Sequence, residues 1–163
     1  MTLLCLLLSF QVDTITLPEV TYYDNFDRNV ETLARIVYKE AGNQSREGQL
    51  AVATVVLNRA NYYEQTPEQV IHSRNQFAKL TSRDYERPLD QRYYDVALEV
   101  LSGYTTLHPA VLYFANDQIA TNRKWIRIIK NFNAGQIQDH TFYFDPTAYT
   151  FYTLVLKQNP PVP

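Results

Sequence analysis

The stretch that decides the fold is residues 33–59, LARIVYKEAGNQSREGQLAVATVVLNR. Its first part continues a helical pattern that begins near Asp27. Val30, Leu33, Ala34, Val37 and Ala41 recur at i, i+3, i+4, i+7 and i+11, which makes one apolar face. Gly42 stops that helix, expected over about Asp27 to Ala41. Glu40 therefore falls in the last turn, beside the apolar face, where the carbonyl end of a helix disfavours an anion. After the break, Ser45 suits an N-cap, and a second helix runs through Leu50, Ala51, Val52, Ala53, Val55, Val56 and Leu57 to Arg59. That helix is apolar nearly all round, so it reads as the buried central helix of the domain.

Working outward, Thr66, Pro67, Glu68 and Gln69 form a capping box with proline at the first helical position and open a short third helix. A fourth begins at Asp90, carries Tyr94, Ala97, Leu98 and Leu101 on one face, and ends at Gly103. After Pro109 the pattern changes. Ala110 to Phe114 (AVLYF) and Gln136 to Phe144 (QIQDHTFYF) read as strands, and Ala148 to Leu156 (AYTFYTLVL), rich in β-branched and aromatic residues, reads as a third. A polar loop, 116–133, holds Arg123, Lys124, Trp125, Arg127 and Lys130. Helices first and a small antiparallel sheet in the C-terminal third make an α+β domain, mainly helical. Its expected span is 26–157, with 1–25 a leader or extended segment and 158–163 a disordered tail.

Composition excludes several classes. With 163 residues, a chain of this size buries roughly 70% of the surface its unfolded form exposes, so one unstapled domain is expected. Cys5 is the only cysteine, which excludes a disulfide framework. His72, His108 and His140 show no metal-ligand spacing, so neither a metal nor a cofactor is expected. A net charge of −2 without a dense basic run argues against a nucleic-acid partner. Residues 1–10 (MTLLCLLLSF) have the length of a signal-peptide core. They are too short for a membrane span, and they lack both a preceding Lys or Arg and a small-x-small cleavage site, which argues against export by this segment. A monomer is expected. The 13 Tyr and 8 Phe, against 4 Gly, suit either a Tyr-rich core or a flat amphipathic binding surface.

The chain offers no Gly-x-Ser-x-Gly turn, no Gly-x-Gly-x-x-Gly and no Walker loop. What remains is carboxylate chemistry. Glu40 has the most unusual setting, flanked by Tyr38 and Ala41 at an apolar helix end. A carboxylic acid kept protonated in such a place can protonate a leaving-group oxygen, as glycosidic cleavage demands. A solvated glutamate in a last helical turn fits the same residues. Glu47, in the first turn of the second helix, simply suits the helix dipole.

The motifs resemble, in order, those of the SleB-type cell wall hydrolases, the spore-cortex-lytic enzymes and their phage relatives. Residues 33–59 are similar to the opening "LAR.VY.EA" and "EGQ.AVA.VVLNR". VIHSRNQF (70–77) is similar to "VI....GQF", AVLYFANDQIA (110–120) to "A.LYF.NP..A", and DHTFY (139–143) to "GHxFY", while Trp125 stands where the family keeps a tryptophan. The resemblance covers about residues 28–144. Asn75, Asp117 and Asp139 depart from the family's Gly, Pro and Gly.

The resemblance implies a lysozyme-like α+β fold that cleaves peptidoglycan between N-acetylmuramic acid and N-acetylglucosamine, with Glu40 as acid and base. It implies one carboxylate acting as in a lytic transglycosylase, because Asp84, Glu86, Asp117 and Asp139 lie in polar loops or strand ends. Around Glu40 a groove is expected. Gln76 and Asn116 would hydrogen-bond the sugars, Phe77, Tyr113, Phe114 and Trp125 would offer ring faces, and His140 and Tyr143 would close it. Phe142 and Tyr143 alternate, so only one of the two faces the groove. Arg123, Lys124, Arg127 and Lys130 would draw in the lactyl and stem-peptide carboxylates of the wall. Tyr38 joins the groove tyrosines, whereas Tyr22, Tyr23, Tyr149 and Tyr152 suit packing. The expected partner is the peptidoglycan glycan strand, and the expected place is the cell envelope or outside the cell, as a phage lysin, a virion enzyme or a minimal exported hydrolase. A hydrolytic muramidase, and a glycan-binding virion protein without turnover, remain alternatives.

Overall fold

The computed structural model describes residues 26–74, 76–118 and 127–158. The leader and Trp125, Arg123 and Lys124 lie outside the described residues, as do residues 159–163. Helix α1 (Phe26–Ala41) and helix α2 (Arg46–Tyr63) form as the apolar spacing predicts, with the Ser45 side chain accepting the Gly48 N–H at the start of α2. Helix α3 (Pro67–His72) carries the reciprocal cap: the Gln69 N–H donates to the Thr66 hydroxyl and the Thr66 N–H to Gln69 Oε1. Helix α5 (Gln91–Leu101) is capped by Asp90. A short helix, α4 (Ser82–Glu86), precedes it where no apolar period announces one.

Helix α2 sorts the rest. Leu50, Ala53, Val56 and Ala60 pack into one cluster with Leu33, Ile36 and Val37 of α1 and Val96 and Val100 of α5. Its other flank, Ala51, Val52 and Val55, packs on Val111 and Phe142 of the sheet. A helix with no polar face needs cover on every side, and this one has it. Two polar residues near its end make the join: Asn58 Nδ2 donates to the carbonyls of His108 (3.0 Å) and Val111 (3.1 Å), and Arg59 Nε to that of Leu112 (2.5 Å).

The sheet has three antiparallel strands in the order β1 (Val111–Ala115), β3 (His140–Phe144), β2 (Asn133–Ile137). Tyr113 pairs with Tyr143, and Phe114 with Phe142. This corrects the expectation of one strand over Gln136 to Phe144, which is a hairpin turning at Gln138 and Asp139. Gln138 adopts φ 49°, a left-handed conformation uncommon for a residue with a Cβ. Neighbours compensate: the Ser45 N–H donates to Gln138 Oε1, and Gln44 exchanges hydrogen bonds with Asp139 at 3.1 and 3.3 Å. The turn is thereby fastened to the α1–α2 connection. The expected polar loop 116–133 also ends early, in a 3-10 turn at Lys130–Phe132.

The third expected strand, Ala148 to Leu156, is instead helix α6 (Pro146–Gln158). Its start explains why. Asp145 Oδ1 accepts the N–H groups of Thr147 and Ala148, and Pro146 takes the first helical position. Thr150 and Thr153 return their hydroxyls to the carbonyls four residues back, so the β-branched residues are accommodated. No described helix is long and apolar enough to cross a membrane.

Gly42 sits where α1 turns towards α2. A Cβ there would lie 2.4 Å from the Tyr38 carbonyl oxygen, a backbone atom that cannot step aside. Gly42→Ala is expected to lose about 1–3 kcal/mol of stability, read as a lowered urea midpoint with an unchanged slope.

Candidate active site

Glu40 projects from the last turn of α1 and is half-buried. Its Oε1 accepts the Ala78 N–H at 2.6 Å, and no described residue hydrogen-bonds Oε2. The helix end that disfavours an anion has thus been given a backbone donor from a distant segment. That segment is held on α1 from three points. Arg35 donates to the carbonyls of Asp84, Tyr85 and Arg87, Lys39 Nζ to the carbonyl of Lys79 (2.8 Å) and to Asp84 (3.0 Å), and Glu40 receives Ala78. Arg35, Lys39 and Glu40 follow one another along the same flank of the helix.

From Ala78 a row of rings leads across the sheet. Phe77 lies 6.2 Å from Phe114 between ring centroids, and Phe114 lies 5.1 Å from His140 and 6.1 Å from Phe142. Phe77, Phe114 and His140 are therefore joined in one row that starts next to the Ala78 donor. Tyr143 is not. It is fully buried on the opposite face from Phe142, and its hydroxyl donates to Asp117 Oδ2 at 2.6 Å. Burial first, and that bond second, push its phenol up to about 12. The Tyr113 hydroxyl is likewise committed, donating to Asp145 Oδ2 at 2.9 Å, and burial with that bond raises its pKa. Tyr38 stands edge-on to Tyr93 at 5.2 Å, with Arg87 over its ring. Gln76 is exposed and, with Arg59, Tyr63 and Ser73, lines a cavity of about 220 Å³. Asn116 is half-buried just past β1, where its Oδ1 accepts the Gln118 N–H at 3.1 Å.

Arg59 is the residue that the sequence reading passed over. It is 5% exposed, its guanidinium lies 4.7 Å over the Phe77 ring and 5.4 Å over that of Tyr113, and Nη1 has no hydrogen-bond partner among the described residues. Burial lowers its pKa to about 10, opposed by the charges of Tyr113, Tyr63 and Glu40, so it remains a cation at neutral pH. It pins two ring walls at once by cation–π contact. A lone Arg following an apolar helix was the available signal: a charge there needs a buried task.

The other carboxylates are engaged elsewhere. Asp84 is held ionised, at about 2, by the Thr81 hydroxyl and N–H and then by Lys39. Asp117 and Asp139 serve Tyr143 and Gln44, and Glu86 is exposed. Among the described residues no three His, Cys, Asp or Glu side chains converge to hold a metal ion.

A family model described as cell wall hydrolase matches residues 43–143. The chain belongs to that family. The matched span opens just after Glu40 and takes in Arg59, Phe77, the sheet and His140. In this cell wall hydrolase, 118 residues, 71% of the chain, are 28% identical to a spore cortex-lytic enzyme of Oceanobacillus iheyensis. The chain spans 43% of that relative's length. The fold matches the catalytic domain of the germination-specific lytic transglycosylase SleB from Bacillus anthracis with a TM-score of 0.63 and 25% identity, over 71% of this chain and 93% of that one. It also matches the SleB catalytic domain of Bacillus cereus (TM-score 0.61, 24% identity, 72% and 90% covered), which bears on fold alone.

His140 is 7% exposed and its Nδ1 has no hydrogen-bond partner among the described residues. Burial lowers its pKa below the ordinary 6.5, with Asp139 opposing. The unfolded chain therefore binds the proton more readily than the folded one. Its contribution to stability is intact above pH 6.5 and declines as the pH falls below it. Urea midpoints at pH 7.5 and 5.5 should show that decline, and His140→Gln should flatten it.

Proposed function

We propose that this cell wall hydrolase degrades peptidoglycan by cleaving the glycosidic bond between N-acetylmuramic acid and N-acetylglucosamine as a lytic transglycosylase, with Glu40 as its one acid and base. The observation that carries the reading is Glu40 itself: a half-buried carboxyl group, held at Oε1 by the Ala78 N–H next to the start of a row of rings, with no described residue hydrogen-bonding Oε2. The likeness to the SleB catalytic domain supports the substrate class and the reaction type.

The chemistry needs two proton transfers. Protonated Glu40 gives its proton to the bridging oxygen as the bond to muramic C1 breaks through an oxocarbenium-like state, and the N-acetylglucosamine leaves as an alcohol. The Glu40 carboxylate then takes the proton of the muramic 6-hydroxyl, whose oxygen bonds to C1 and closes a 1,6-anhydro ring. The acid is regenerated and no water is consumed. Phe77 and Phe114 supply ring faces for the sugars, Gln76 and Asn116 hydrogen bonds at the margins, and Arg59 acts through Phe77 and Tyr113 as a positioning residue. With its substrate in the wall, the enzyme works at the cell envelope.

The test is turnover of purified peptidoglycan in solution and in a gel. The native chain should clear both. Glu40→Gln should lower the rate by at least about 10³-fold with an unchanged circular dichroism spectrum. A Glu40→Gln protein that retains native activity rules out the assignment, and a native chain that binds the glycan without clearing it would be the binding protein instead.

A further inference from the structure

A second cleft, of about 300 Å³, has Phe77 in its lining and shares Ser73 with the Gln76 cavity. Its apolar floor is Ile71 and Leu80, both buried, and its walls carry His72, Arg74 and Lys79, all exposed. No Asp or Glu among the described residues lines it. Arg28, Arg35, Lys39, Arg46 and Arg92 each face a carboxylate. Arg74 and Lys79 face none among the described residues.

The position of the cleft matters as much as its charge. Phe77 and Lys79 are lining residues, and Ala78 between them donates to Glu40 Oε1. The cleft thus begins one residue from the contact that holds the acid. A glycan strand seated at Glu40 presents a muramic acid there, whose lactyl group carries a short acidic peptide.

We propose that the cleft between α3 and the 77–80 segment is a subsite for the acidic stem peptide, with Arg74 and Lys79 binding its carboxylates and Ile71 and Leu80 packing under its aliphatic parts. The inference rests on the peptidoglycan reading and deepens it. It assigns peptide recognition to Arg74 and Lys79 instead of Arg127 and Lys130. Long flexible cations at an open site recognise a carboxylate at modest strength and with strong salt dependence.

The test compares two forms of one substrate: intact peptidoglycan, and the same glycan strands after an amidase has removed the peptides. For the native chain, Arg74→Glu with Lys79→Glu should reduce kcat/KM on intact peptidoglycan about tenfold, through KM, and on bare strands by less than about twofold. Arg74→Lys with Lys79→Arg should restore most of the loss. Binding is read separately with the Glu40→Gln protein, which should sediment with intact peptidoglycan in preference to bare strands, a preference that charge reversal and salt both remove. Equal losses on both substrates, or a preference that survives charge reversal, would overturn the subsite. A native chain that shows the preference and cleaves neither substrate would overturn the enzymatic reading and leave the subsite standing.

Discussion

A helix without a polar face cannot lie on a surface, and α2 is such a helix. Every other element is placed by the need to cover it: α1 and α5 on one flank, the sheet on the other. Burying a Val or Leu side chain stabilises by roughly 1.5–3 kcal/mol, and α2 buries them on both flanks, so the two-sided arrangement is strongly driven. Two of its buried polar residues, Asn58 and Arg59, hydrogen-bond the carbonyls of His108, Val111 and Leu112, at and just before β1.

That arrangement sets the acid. Covering α2 brings the end of α1 against the hairpin turn, where Gln44 meets Asp139 and the Ser45 N–H meets Gln138. Arg35, Lys39 and Glu40 of α1 hold the 78–87 segment. A buried arginine with several carbonyl acceptors is a rigid anchor, because its planar fork gives up little freedom per hydrogen bond. Glu40 is therefore fixed between a core that cannot shift and a loop that is clamped.

The helices that face the core were legible because their apolar residues recur at the helical period, and Glu40 stood out through its place at the end of one of them. Two strand assignments failed for local reasons. Residues 148–156 look like a strand by propensity, yet Asp145 and Pro146 just ahead are a helix start, and the cap prevailed over the β-branched residues. The turn at Gln138 and Asp139 has neither Gly nor Asn, and its left-handed residue is stabilised only by partners from the α1–α2 connection. The site was half legible for the same kind of reason. Phe77, Phe114 and His140 form one row of rings, but Tyr143 sits on the other face of the sheet from Phe142, since alternation told that one of two neighbours must turn away without telling which. The Ala78 donor was invisible, because a backbone N–H carries no sequence signature.

On the proposed mechanism one carboxylate, with the substrate's own hydroxyl, performs the cleavage. Mass spectrometry of the fragments released from purified peptidoglycan in water enriched in ¹⁸O distinguishes this from hydrolysis. The expected products are muramic acid ends in the 1,6-anhydro form, lighter by one water and free of the label. Reducing muramic acid ends that carry ¹⁸O, with no anhydro product, would contradict it.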